Sequence, residues 1–131
     1  YEIVGGPRPD GGAYFPPTVV PDVPPSSRLY REEIFGPVVS VTKFGTEDEA
    51  VDLANGTEYG LAAYVYTADL SRGHRLMESI DAGMLGVNSG SISNPAAPFG
   101  GTKQSGVGRE GGSEGIHEYL DVKYAFVPGG R

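Results

Sequence analysis

The sequence predicts an α/β protein whose parallel strands are connected by crossover helices. Residues 38–44, 62–66 and 84–87 are short apolar segments of the kind that forms strands, and the first is rich in β-branched side chains. Two segments with helical spacing of apolar residues separate them along the chain. The order strand, helix, strand, helix, strand is typical of a parallel sheet with crossover helices.

Both predicted helices have recognisable ends. Thr46 and Glu49 form the sequence pattern of a capping box at the start of the first helix, and Gly56 is expected to end it. In the second helix one face is apolar, and Gly83 is expected to act as the terminator that follows it. That face is formed by Leu70, Gly73, Leu76, Met77 and Ile80.

Irregular backbone is expected at the start of the chain and in one long loop. Residues 5–27 are rich in proline and glycine, and because proline lacks an amide donor we expect an extended arm without a helix. Strand-like pieces are expected at 14–15 and 18–20 within this arm. Residues 88–112 show no periodicity and are predicted to be a long loop, which is usually functional or disordered.

The end of the chain is predicted to be a short helix near residues 116–120, followed by a closing strand. Val122, Tyr124 and Phe126 alternate with other side chains and would share one face of that strand. An unpaired strand exposes an edge that can pair with another chain. We expect such pairing between chains, the alternative being that the strand folds back onto its own sheet.

Composition restricts the possible functions. The chain has 131 residues and a formal net charge of −7, which argues against a nucleic acid or an anionic membrane as partner. There is no cysteine, so disulfides and thiolate metal sites are excluded, and no apolar run is long enough to span a bilayer. The length predicts one domain or less, and the missing initiator Met suggests an excised piece.

One glycine motif resembles a dinucleotide-binding fingerprint, but its surroundings do not fit. Residues 106–111 match G-x-G-x-x-G, yet no apolar strand precedes them. The acidic residue expected about 20 positions later is also missing, since Phe126 stands in that region. We therefore interpret these glycines as turn residues.

No metal site is expected. The two histidines, His74 and His117, lie far apart in the sequence and lack the spacing of metal ligands. Ordinary surface or partly buried imidazoles are the simpler interpretation.

Glu33 and Phe35 flank Ile34, so an extended backbone would place both side chains on one side. A carboxylate can accept hydrogen bonds from two adjacent ribose hydroxyls, and an aromatic ring can pack on a flat nicotinamide. The following Gly36 and Pro37 are expected to turn the chain sharply into the strand. From the residues alone, either a cofactor site or a purely structural turn is possible.

The segment 88–95, with the sequence NSGSISNP, is polar and rich in hydroxyls. Hydroxyls and free amides in such a loop can bind a carboxylate or another anion. The alternative is an ordinary solvated loop.

Three ordered motifs give the chain a family resemblance. Residues 32–38 (EEIFGPV), 59–63 (YGLAA) and 98–110 (PFGGTKQSGVGRE) together resemble the closing segment of the NAD(P)-dependent aldehyde dehydrogenases. The resemblance implies that residues 1–120 are the C-terminal part of a catalytic domain. It also implies that residues 121–131 are a terminal strand and tail that bridge to a neighbouring subunit of a homo-oligomer.

The resemblance assigns roles to four side chains. It implies that Glu33 and Phe35 contact the ribose and nicotinamide of NAD or NADP, and that Phe99 lines the substrate tunnel. The loop most resembles that of the succinate semialdehyde dehydrogenase group, in which the residue matching Ser93 binds the distal carboxylate of the substrate. Ser91 departs from this group, which usually has an aliphatic residue there.

The resemblance also implies what the chain lacks. The cysteine nucleophile and the general-base glutamate of the family lie upstream, so no catalytic residue is assigned here. We expect a cytoplasmic enzyme that oxidises a small aldehyde, of which this chain is roughly the last quarter and is inactive alone. The alternative is a non-catalytic module that uses the same fold for oligomerisation or partner binding.

Overall fold

The computed structural model describes residues 4–6 and 11–129. The chain divides into two compact units, Tyr1–Thr57 and Glu58–Arg131. No helix within the described residues combines the length and the apolar composition needed to cross a membrane.

The first unit is built on a three-stranded sheet with the order β1-β2-β3. β2 pairs antiparallel with β1 and parallel with β3, and Val20 and Val23 are buried. The elements of this unit are β1 (Val4–Gly5), β2 (Thr18–Pro21), α1 (Arg28–Arg31), β3 (Val38–Val41) and α2 (Glu47–Asn55).

The predicted capping of α2 is confirmed. The Thr46 side chain accepts a hydrogen bond from the Glu49 amide at 3.2 Å, which satisfies one of the free donors at the helix start. The Glu49 carboxylate reaches back to the amide of Gly45 at 2.7 Å, one residue earlier than the usual capping box. Gly56 occupies the C-cap position, as predicted.

The second unit contains a strand–helix–strand crossover in which β5 and β6 run parallel and α3 connects them. Val65 of β5 and Leu76 of α3 are buried, and β4 pairs antiparallel with β7. The elements are β4 (Tyr59–Gly60), β5 (Ala62–Val65), α3 (Leu70–Ser79), β6 (Met84–Val87), β7 (Thr102–Lys103) and a 3-10 helix at Gly115–Tyr119.

The prediction of a parallel sheet with crossover helices is confirmed only in part, because the parallel strand pairs fall in two different sheets. β3 pairs with β2 from the proline-rich arm, whereas β5 pairs with β6. Pro21 is the last residue of β2 and lies beyond the residues that pair with β1, so the amide donor that proline lacks is not needed for that pairing. The described part of the chain therefore contains one mixed, one antiparallel and one parallel sheet. The strand-like piece expected at 18–20 is confirmed as β2, whereas residues 14–15 form no strand.

The prediction that Gly83 terminates a helix is also wrong. α3 ends at Ser79, and its C-cap residue Ile80 has an extended backbone. The amide of Gly83 donates to the carbonyl of Gly60 at 2.9 Å. A Cβ at residue 83 would overlap the carbonyl of Gly100, so the glycine is required by close contact between two backbone segments.

The last segment differs in part from expectation. The 3-10 helix at Gly115–Tyr119 confirms a short final helix. Residues 121–129, in contrast, form no strand with any part of the described chain, and Val122, Tyr124 and Phe126 are exposed. The alternative that this strand folds back onto its own sheet therefore finds no support in the described residues, and its pairing with another chain stays a prediction.

The predicted long loop 88–112 is more ordered than expected. It contains β7 and an antiparallel bridge between Phe99 and Glu110. The amides and carbonyls of these two residues form a reciprocal pair of hydrogen bonds, each 2.7 Å long. This pairing connects residues eleven positions apart, which periodicity along the sequence does not reveal.

The close backbone contact at Gly83 gives a stability prediction. We expect Gly83→Ala to lower the free energy of unfolding by roughly 1–3 kcal/mol or more, because overpacked sites cost this much. The matched control is Gly129→Ala, since nothing lies within 4 Å of a Cβ at that position. Thermal unfolding of both variants measures the effect, and equal midpoints would contradict the steric argument.

Candidate functional site

The first candidate region begins at α1 and contains an ion pair. The Arg28 guanidinium donates to both carboxylate oxygens of Glu32, at 2.7 and 2.8 Å. This hydrogen bonding raises the pKa of Arg28 and lowers the pKa of Glu32. Of the two neighbouring glutamates, Glu32 and Glu33, the carboxylate of Glu32 is therefore already bound by Arg28.

Glu33, the predicted ribose ligand, is exposed. Its carboxylate has no hydrogen-bond or ion-pair partner among the residues that the structure describes. A free carboxylate keeps all its acceptor sites, so it can receive two hydroxyl donors at once.

Phe35 has an unusual backbone. Its φ is +45°, in the left-handed region that is rare for aromatic residues, and its side chain is 93% exposed. The extended backbone that we expected to align Phe35 with Glu33 therefore does not continue through residue 35. Strained backbone of this kind is often retained at ligand sites, where surrounding structure maintains it.

The predicted turn after Phe35 is confirmed. The Val38 amide donates to the Gly36 carbonyl at 2.7 Å, a three-residue turn centred on Pro37. The Pro37 carbonyl then accepts from the Thr18 amide at 2.8 Å, at the start of the β2–β3 pairing. The sheet thus fixes the position where the exposed segment 33–35 ends.

The second candidate region is the hydroxyl-rich loop, residues 88–95, which follows β6. The Ser89 hydroxyl donates to the carbonyl of Ser91 at 2.7 Å, and the Asn94 side chain accepts from the Ala96 amide at 2.9 Å. Both contacts are local turns that order the backbone. Ser93 is exposed, and its hydroxyl has no partner in the described part of the chain.

Phe99, the predicted tunnel residue, lines a cavity of about 350 Å³ in the second unit. The Arg109 guanidinium helps to form its wall, because one nitrogen donates to the carbonyls of Gly101 at 2.9 Å and Gly108 at 2.7 Å. Ser93 is not among the residues that line this cavity. The structure therefore places Phe99 at a cavity but does not bring Ser93 into it.

The glycines of the rejected dinucleotide motif act as turn residues. Gly106, Gly108 and Gly111 all have positive φ values, of 128°, 82° and 67°. A Cβ at residue 108 would lie 2.7 Å from the Glu118 carboxylate, which adds a steric requirement.

Two polar residues that sequence reasoning missed also shape this region. Asn88 has a φ of +52° and begins the hydroxyl-rich loop. Lys103 pairs with Asp81 at 3.2 Å, and its side chain is only 23% exposed. An Asn placed directly after a strand was the available signal for the first, since Asn tolerates left-handed backbone. Nothing in the local sequence indicated the ion pair between Lys103 and Asp81.

Metal binding finds no support in residues 4–6 and 11–129, where no three His, Cys, Asp or Glu side chains form a group suited to an ion. His74 and His117 lie on α3 and on the 3-10 helix, respectively.

Comparison with known proteins gives the family. The sequence pattern of the aldehyde dehydrogenase family matches residues 2–125. A succinate-semialdehyde dehydrogenase of Paenarthrobacter nicotinovorans is 57% identical over 126 residues, which are 95% of this chain and 28% of that protein. The chain spans about a quarter of the length of the curated relatives it matches.

Solved structures agree with this assignment. An NADP-dependent enzyme of Escherichia coli superposes with a TM-score of 0.88 at 47% identity, over 95% of this chain and 26% of that one. A betaine aldehyde dehydrogenase of Staphylococcus aureus in complex with NAD+ has a TM-score of 0.84 at 45% identity, over 90% of this chain and 24% of that one. The resemblance seen in the three motifs is thus confirmed, and the chain belongs to the aldehyde dehydrogenase family.

Proposed function

We propose that this chain is the C-terminal quarter of an NAD(P)-dependent aldehyde dehydrogenase whose substrate carries a distal carboxylate. The observation that carries the proposal is the free, exposed hydroxyl of Ser93 on a hydrogen-bonded loop. The 57% identity to a succinate-semialdehyde dehydrogenase supports this substrate class.

The residues present fit a nicotinamide dinucleotide. The unpartnered Glu33 carboxylate would accept hydrogen bonds from the ribose hydroxyls, and the exposed Phe35 ring would pack beside the nicotinamide. When bound, NAD(P)+ would accept the hydride that leaves the aldehyde carbon. Relatives that use NADP and NAD both resemble this chain, so either form is compatible with the proposal.

On the substrate side, Ser93 would donate a hydrogen bond to the distal carboxylate and thereby orient the aldehyde. Phe99 would supply an apolar wall, since it lines a cavity in the same unit. The chain has no cysteine, so a thiolate nucleophile of the kind this family uses would have to come from residues outside it. We therefore propose that the chain alone does not oxidise aldehydes.

A non-catalytic role in assembly is the second candidate. The exposed apolar side chains at the end of the chain favour it, because contiguous apolar surface marks interaction sites. The free carboxylate of Glu33 and the free hydroxyl of Ser93 favour the enzyme, since a scaffold does not need either.

The cofactor assignment is tested with Glu33→Gln in the intact enzyme. We expect kcat to fall by roughly ten- to a hundredfold, because a loosened nicotinamide misplaces the reacting atoms. The matched control is Glu32→Gln, since the Glu32 carboxylate is already occupied by Arg28. Steady-state kinetics with varied cofactor measure both, and equal losses in the two variants would remove the assignment of Glu33.

The substrate assignment is tested with Ser93→Ala. A hydrogen bond to a charged group contributes about 1.5–3 kcal/mol, so kcat/KM for a carboxylate-bearing semialdehyde should fall roughly tenfold or more. Alkyl aldehydes of equal length should be little affected, and Ser91→Ala serves as the control within the loop. Similar losses for both substrates would contradict carboxylate recognition.

We further propose that residues 121–127 form a strand with a neighbouring subunit of a homo-oligomer. They have no strand partner in the described chain, and Val122, Tyr124 and Phe126 are exposed. Apolar side chains that alternate along an unpaired segment favour pairing with another chain.

Deletion of residues 121–131 tests this assembly role. We expect the intact enzyme to lose its oligomeric state, because the deletion removes both the backbone partners and the apolar face. Mass measured by light scattering reports the change, with Tyr124→Phe as a control that retains the apolar area. An unchanged mass after the deletion would show that other surfaces hold the subunits together.

A further inference from the structure

We propose that Asn88 is a positioning residue that holds the hydroxyl-rich loop in one conformation and thereby places Ser93 for substrate selection. This inference rests on the proposed function, in which Ser93 binds a distal carboxylate. It assigns substrate discrimination to a side chain that does not itself touch the substrate.

The contacts of Asn88 extend the strand pairing beyond its last residue. The β5–β6 pairing ends with Val65 opposite Val87, and the Asn88 amide still donates to the Val65 carbonyl at 2.7 Å. The Asn88 side chain then bonds both backbone groups of Thr67: its oxygen accepts from the amide and its nitrogen donates to the carbonyl, each at 2.9 Å. The side-chain amide of Asn88 thus makes the same two kinds of hydrogen bond to Thr67 that a backbone peptide group could make.

The backbone of Asn88 also changes the direction of the chain. Its φ of +52° lies in the left-handed region, which Asn adopts more readily than most other residues. Glycine would accept this φ but has no side-chain amide, and Asp would keep only the acceptor. Only Asn combines the left-handed backbone with both hydrogen bonds to Thr67.

A second contact fixes the loop four residues later. Gly86 of β6 is buried, and a Cβ built there would lie 2.8 Å from Cγ2 of Ile92, 2.9 Å from the Tyr64 ring and 3.0 Å from the Ser89 carbonyl. Ile92 and the Ser89 backbone therefore pack directly on the face of the strand, in space that a side chain would occupy.

These two anchors define the position of Ser93. The loop is hydrogen-bonded at Asn88 and packed at Ile92, and Ser93 follows immediately. A binding group selects between substrates only if its supporting residues hold it close to the productive geometry. Loosening either anchor should therefore reduce discrimination, although the Ser93 hydroxyl remains present.

The test compares Asn88→Gly and Asn88→Asp in the intact enzyme, with two measurements. Hydrogen exchange of residues 89–94 reports the order of the loop without depending on any substrate. The ratio of kcat/KM for a carboxylate-bearing semialdehyde to kcat/KM for an alkyl aldehyde of equal length reports discrimination. For Asn88→Gly we expect severalfold faster exchange and a roughly tenfold lower ratio, the size of one lost hydrogen bond to a charged group. Asn88→Asp should also lower the ratio, because a carboxylate oxygen would replace the nitrogen that donates to the Thr67 carbonyl.

Two further variants separate positioning from general destabilisation. Ile92→Ala loosens the second anchor without touching the hydrogen bonds to Thr67, so it should lower the ratio even if the Asn88 variants fold poorly. Thr46→Ala removes the cap of α2 in the other unit. It should lower the thermal midpoint and leave the ratio unchanged.

The outcomes distinguish this inference from the function on which it rests. The positioning role of Asn88 is overturned if hydrogen exchange of residues 89–94 is unchanged in Asn88→Gly. It is also overturned if Ser93→Ala lowers the ratio of the two kcat/KM values but Asn88→Gly does not. An unchanged ratio in Ser93→Ala overturns carboxylate recognition instead, and the exchange measurement alone then decides the role of Asn88.

Discussion

The second unit depends on close contact between backbone segments at glycines. The Gly83 amide bonds the Gly60 carbonyl at 2.9 Å, and the Gly100 carbonyl occupies the space where residue 83 would carry a Cβ. Gly101 is also confined, because a Cβ there would lie 2.6 Å from Cβ of Ser105 and 3.2 Å from the Gly60 carbonyl oxygen. These contacts bring the segment around Phe99 against the strands, so the cavity that it lines depends on residues without side chains.

The two polar candidate residues, Glu33 and Ser93, share one feature: neighbouring groups are hydrogen-bonded, whereas their own side-chain oxygens have no partner among the described residues. Arg28 occupies the carboxylate of Glu32, which leaves that of Glu33 unpartnered among the described residues. Local turns likewise order the loop on either side of Ser93 and leave its hydroxyl free. A group that is positioned but unpartnered loses little order when a ligand binds, which is the general advantage of preorganisation.

The sequence predicted what short-range chemistry determines. Thr46 could be recognised as a cap because the donors it satisfies lie within three residues of it. Pairing of β2 with β3 could not be predicted, since the partner is a proline-rich segment whose role depends on tertiary contacts. The left-handed backbone of Phe35 was also unpredictable, because local preference opposes it and only the surrounding structure can maintain it.

The small core gives independent physical support to the proposed role as part of a longer enzyme. Val20, Val23, Val65 and Leu76 are the only buried apolar side chains in the described part of the chain. Large apolar side chains are exposed in both units and at the end of the chain. Exposed apolar area is a cost that soluble proteins limit, and burying it is the main favourable term in folding and association. A chain that matches about a quarter of its relatives' length can bury this area against the remaining parts of a longer enzyme.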